Sequence, residues 1–121
     1  MARRVRWTIL AVSSLALAAA LAAGAPAAGA EPRVVEITAR RFQFTPNTVT
    51  LKKDEPVILR LRSEDVVHGF FQRSLGIDTT IPPGKDTDVP LTPHDAGRYS
   101  IICHHFCGTG HGGMKLTVVV E

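Results

Sequence analysis

The chain has 121 residues, with 14 Lys and Arg against 11 Asp and Glu, and only two cysteines. That length supports one small domain around one core and excludes a multidomain enzyme. Arg3, Arg4 and Arg6 account for the positive excess, so from residue 31 onward the charge is balanced apart from five histidines, and nothing points to nucleic acid or an anionic membrane.

Residues 1–30 read as a secretory signal peptide. The three arginines form its charged start, 7–23 are uncharged and rich in Ala and Leu, and Ala28-Gly29-Ala30 is a small-residue cleavage site ahead of Glu31. An uncleaved anchor is the competing reading, although the apolar run falls just short of the roughly 20 residues a spanning helix needs. The expected folded domain is therefore 31–121, in the periplasm or another extracytoplasmic compartment.

From there the pattern is strand after strand. Val34 to Thr38 opens, Phe42 and Phe44 alternate, and Pro46-Asn47 marks a turn before Val49-Thr50-Leu51. Val57, Leu59 and Leu61 alternate with Ile58, Arg60 and Arg62 at a period of two, which puts the arginines toward water. His68 lies just past this strand. Val89 and Leu91 form a short pair around Pro90, Tyr99 to Ile102 follows, and Leu116, Val118 and Val120 close the chain. Turn residues punctuate the steps at Pro82-Pro83-Gly84 and Pro93-His94-Asp95-Ala96-Gly97. No window carries a helical apolar stripe. The expected fold is all-β, a Greek-key sandwich or barrel in a single small domain.

Between the last two strands lies Cys103-His104-His105-Phe106-Cys107-Gly108-Thr109-Gly110-His111-Gly112-Gly113-Met114, a C-x3-C-x3-H-x2-M motif holding both cysteines. Thiolate, imidazole and thioether together suit a soft or borderline metal, copper above all. The glycines let the backbone turn so that Cys103, Cys107, His111 and Met114 face one centre. One Cys, two His and a Met would form a mononuclear blue-copper set, and this loop has one thiolate more. Two thiolates can each bridge two metal ions. With two imidazoles they give each of two coppers three strong donors, leaving weak positions for Met114 and a loop carbonyl. The competing reading is a Cys103–Cys107 disulfide. It would close a very short loop, constrain the unfolded chain little, and leave His111 and Met114 unexplained.

The chain resembles the CuA domain of cytochrome c oxidase subunit II, a cupredoxin-like domain also found in nitrous-oxide reductase. Ser63 to Phe70 looks like the strand end that carries the upstream ligand His. Ser74-Leu75-Gly76-Ile77 and Ile81 to Lys85 match the segment before its Pro-Gly turn, and Gly97-Arg98-Tyr99 leads into the ligand motif. The resemblance implies that Cys103 and Cys107 bridge two coppers, that His68 and Met114 complete one, and that His111 and the backbone carbonyl of His105 complete the other. The family usually has Glu at the position of His105, where it helps to hold magnesium, so no magnesium site is expected. The family's two membrane helices and its Trp-containing electron-accepting patch have no counterpart. Arg40-Arg41-Phe42-Gln43-Phe44 stands near the place of that patch, which implies a free-standing relative.

The leading function is single-electron transfer between redox partners, such as a c-type cytochrome or a membrane oxidase. Protein donors fill every ligand position, so the chain is not expected to be an enzyme or to take a small-molecule substrate, and monomer is the default. The alternatives are a periplasmic carrier delivering copper to an oxidase, with His104 and His105 assisting acquisition, and a zinc- or disulfide-stapled binding domain. His94 reads as a solvated turn residue and His104 as an exposed loop residue. Asp65 reads equally as a turn residue and as a group that orients the site by hydrogen bonding. Phe106 is expected to pack inward and keep water out.

Overall fold

The computed structural model describes residues 31–106 and 108–121, apart from the side chain of His111. The expected signal segment lies outside the described residues. Among them the elements are nine strands and two single 3-10 turns, Arg73–Leu75 and His111–Gly113. The strands are β1 (Arg33–Arg40), β2 (Gln43–Thr45), β3 (Thr48–Leu51), β4 (Val57–Ser63), β5 (His68–Gln72), β6 (Ile77–Ile81), β7 (Thr87–Leu91), β8 (Gly97–Ile102) and β9 (Lys115–Val120).

They form two sheets, ordered β2-β1-β4-β7 and β3-β9-β8-β5-β6. β1 runs parallel to β4, from Arg33↔Val57 to Ala39↔Ser63, and β3 runs parallel to β9. The other pairings are antiparallel. The chain changes sheet between β2 and β3, β3 and β4, β4 and β5, β6 and β7, and β7 and β8. The expected all-β sandwich is thus present, and both sheets are mixed.

Alternation drives the packing. In β4 the side chains of Val57, Leu59 and Leu61 are buried, while Arg60 and Arg62 point outward and pair with Asp88 and Asp86 of the neighbouring edge. In β9 Leu116, Val118 and Val120 turn inward. Burying each such aliphatic side chain is worth about 1.5–3 kcal/mol. Phe44 of β2 meets Phe70 of β5 edge to face across the core, with ring centroids 5.5 Å apart.

His68 corrects the sequence reading in one respect. It does not trail the end of β4; it begins a strand of its own, β5, which pairs with β6 from His68↔Ile81 to Gln72↔Ile77. The Gln72 side chain accepts a hydrogen bond from Ser74 N–H at 2.9 Å, and Gly76, at φ 67°, closes the short turn between the two strands. On its other side β5 meets β8 at a single register pair, Phe71↔Ile102. Past Ile102 the chain leaves the ladder and becomes the Cys/His loop.

Candidate metal centre

The centre starts from a buried polar side chain. His68 is 0% exposed, and its Nε2 lies 2.7 Å from Asp65 Oδ1. Its Nδ1 is also buried and finds no hydrogen-bond partner among the described residues. An unpartnered buried polar atom costs free energy, so a native protein keeps one only for a reason.

Asp65 supplies part of that reason. Its Oδ2 accepts the Arg41 backbone N–H at 2.8 Å and its Oδ1 accepts the Val66 N–H at 2.7 Å. Partial burial pushes this carboxyl up, but the hydrogen bonds from Arg41, His68 and Val66 outweigh it and hold the group at about 2. Asp65 is therefore an ionised acceptor at neutral pH. It engages the ring through Nε2 and leaves Nδ1 as the nitrogen without a partner among the described residues. A carboxylate that orients a histidine in this way is the usual support of a metal-ligating imidazole. Asp65 holds the His68 ring through Nε2, the contact that the orienting reading expects.

The loop enters beside it. Cys103 is 3% exposed, and its Sγ accepts the Gly69 backbone N–H at 3.2 Å. The residue after His68 thus touches the sulfur. The His105 carbonyl oxygen lies 3.2 Å from the same Sγ. Met114, 1% exposed, returns at the far end of the loop, where its carbonyl accepts the Cys103 N–H at 3.2 Å. That bond ties the two ends of the loop together, and the Gly113 N–H bonds the Gly110 carbonyl within it.

Sequence reasoning passed over Gly69. A Cβ there would stand 2.3 Å from His104 Nδ1, 2.5 Å from His105 N and 2.6 Å from His104 N, so only glycine admits the loop. The available signal was a glycine directly after the histidine at the start of a strand. Phe42 was also undervalued. Its ring lies against Gly110 and Gly108, where added Cβ atoms would come within 2.5 and 2.8 Å of it.

Phe106 contradicts its expectation, because it is 73% exposed. Phe42, itself partly exposed, lies over the loop glycines, and Phe106 joins Arg41, Val66, Val67, His105 and Gly108 around a shallow outer hollow. His94 is solvated as expected and pairs with Asp54 at 3.0 Å. His104 is exposed but not idle. Its Nε2 lies 2.9 Å from Asp78 Oδ1 and its ring stacks on Phe71.

Of the sequence-predicted donors, His68, Cys103 and Met114 are buried, and the His105 carbonyl faces the Cys103 sulfur. Cys107 and the His111 side chain lie outside the described residues. Among the described residues no three His, Cys, Asp or Glu side chains gather as a metal cluster. The donors that are described fit a soft metal: a buried thiol, a buried thioether, and an imidazole nitrogen with no other partner.

The sequence profile of the cupredoxin-like domain matches residues 13–118. The chain belongs to the cupredoxin-like family. This cupredoxin is 32% identical over 93 residues to cytochrome c oxidase subunit 2 of Thermus thermophilus, covering 77% of its own length and 69% of that subunit. A second subunit 2 from the same species matches at 32% over 93 residues, and there the cupredoxin spans 55% of the relative. The crystal structure of the periplasmic domain of subunit II of cytochrome oxidase of Bradyrhizobium japonicum superposes with a TM-score of 0.68 at 15% identity, over 74% of this chain and 83% of that one. The expected homology to subunit II is borne out.

Proposed function

We propose that this cupredoxin is an extracytoplasmic copper protein that passes single electrons between redox partners through a binuclear CuA-type centre. In this reading Cys103 and Cys107 bridge the two coppers, His68 and Met114 complete one, and His111 with the His105 carbonyl completes the other. The observation that carries it is the buried His68 Nδ1, unpartnered among the described residues while Nε2 is held by Asp65, one residue from the N–H that touches the Cys103 sulfur.

When bound, two thiolate-bridged coppers supply a one-electron redox couple whose bonds change little on reduction. The rest is the work of the chain. Asp65 fixes the tautomer of His68. The Gly69 N–H holds the Cys103 sulfur in place by donating to it at 3.2 Å. The burial of His68, Cys103 and Met114 keeps these donors from bulk water, and the Cys103 N–H to Met114 carbonyl bond ties the ends of the loop together. With protein donors in every ligand position the centre would do electron transfer rather than catalysis. The partner would be a c-type cytochrome or a membrane oxidase, by analogy with the subunits this chain resembles. Residues 1–30 would direct export, with 31–121 as the copper domain.

The carrier reading relied on His104 and His105 as acquisition ligands. His104 is engaged by Asp78 and Phe71, which supports the redox role over carriage. Copper titration with metal analysis tests the proposal. Two coppers per chain are expected, retained on exposure to a metal-free acceptor for longer than minutes. One copper per chain, or rapid surrender to the acceptor, would overturn it.

A further inference from the structure

We infer that His104 is a positioning residue: its imidazole straps the loop onto the β5–β6 hairpin and so fixes where the Cys103 sulfur and the His105 carbonyl point. The inference rests on the copper reading above for its purpose, but not for its geometry.

Strand pairing does not hold this part of the loop. β8 and β5 share one register pair, Phe71↔Ile102, and the next residue is Cys103. Residues 103–105 then cross Gly69 at a distance that leaves no room for a Cβ. Among the described residues, two side-chain contacts tie them to the β5–β6 hairpin. One is internal, the Gly69 N–H on Cys103 Sγ at 3.2 Å. The other is His104. Its ring stacks on Phe71 of β5, with centroids 5.3 Å apart and planes 27° from parallel, and its Nε2–H donates to Asp78 Oδ1 of β6 at 2.9 Å. Phe71 and Asp78 are direct cross-strand partners. One imidazole therefore grips both strands of the hairpin through a matched pair, an apolar face and a carboxylate, from a position between the sulfur donor and the carbonyl donor.

Nothing else in the position of His104 requires this chemistry. The Asp78 carboxylate is largely exposed, so the ion pair alone is worth little for stability. Its effect is on orientation. With the ring fixed, the backbone is anchored at residue 104, between Cys103 and the next peptide carbonyl, that of His105, which lies 3.2 Å from Cys103 Sγ. A preset donor geometry keeps a metal site from relaxing when it is loaded or reduced.

The test uses the full chain with His104→Ala, Asp78→Ala, Asp78→Asn and the double variant. In metal-free protein, amide hydrogen exchange at Gly69 and His105 should quicken about tenfold in His104→Ala, with exchange in β4 and β9 unchanged. In copper-loaded protein the copper hyperfine pattern should change, and release of copper to a chelator should quicken about tenfold. Asp78→Asn, which keeps an acceptor oxygen, should stay within about twofold of the parent, and Asp78→Ala should add nothing to His104→Ala, because the two act as one unit. Exchange at Gly69 and His105 within about twofold of the parent in His104→Ala would overturn the inference, whatever the protein does with copper. A chain that showed the exchange effect but bound no copper would leave the strap standing and defeat the redox reading instead.

Discussion

Among the described residues, His68, Cys103 and Asp65 most define the candidate centre, and the first two were readable in advance. Cys103 is marked by the spacing of its motif, and His68 by the resemblance of 63–70 to the subunit II strand end. Asp65 was ambiguous, because an acidic residue three before a histidine looks the same in a turn and in a ligand support; only the 2.7 Å contact to Nε2 separates the two. Asp65→Ala removes the acceptor of His68 Nε2 and of two backbone N–H groups. It should weaken copper binding about 10–100-fold and destabilise the metal-free chain by about 1–3 kcal/mol, as measured by chelator competition and urea unfolding. Gly69→Ala should cost about 1–3 kcal/mol by overpacking and displace the loop, seen as altered amide shifts at His104 and His105. Phe106 was misread because a loop has no periodicity to say which way a side chain faces. An aromatic beside a buried cysteine is outside here, since Phe42 covers the loop glycines.

At the scale of elements, the strands with strict alternation were legible and the others were not. β4 and β9 follow apolar-polar alternation, and their inward residues are the expected ones. β5 and β6 were missed as strands because Gly69, Gln72, Thr79 and Thr80 interrupt any apolar rhythm. They still pair over five residues, since Phe70 and Ile77 anchor them in the core. This hairpin matters most for the site, because it carries His68 at its start and receives the loop across Gly69. Phe70→Ala should therefore cost about 3–5 kcal/mol, lowering the urea midpoint with an unchanged slope, and lower copper affinity as well. Leu59→Ala, in the opposite sheet, should cost about 2–5 kcal/mol with copper affinity in the folded fraction unchanged.

For the whole molecule, the sandwich class followed from many short strands separated by turn residues. The two parallel pairings, β1 with β4 and β3 with β9, were not legible, because alternation says which face is buried and not which strand lies beside which. Those pairings pin β1 and β9, the first and last described strands, into the sheets, with Glu121 N–H on the Leu51 carbonyl at 2.9 Å and Lys53 N–H on the Glu121 carbonyl at 2.8 Å. The result is a framework that presents the loop between β8 and β9 as the candidate metal site. Among the described residues no helix is long and apolar enough to cross a membrane. If residues 1–30 are an export signal, protein recovered from an extracytoplasmic fraction should begin at Glu31; an intact N-terminus in the membrane fraction would mean an anchor instead.

In the proposed centre one electron is shared between two copper ions held by this loop and His68. Electron paramagnetic resonance of the copper-loaded chain reads that sharing. A single unpaired electron coupled equally to two copper nuclei is expected, replaced by a mononuclear signal in Cys103→Ser. A four-line pattern from one copper in the parent chain, or a colourless protein that retains zinc, would contradict it.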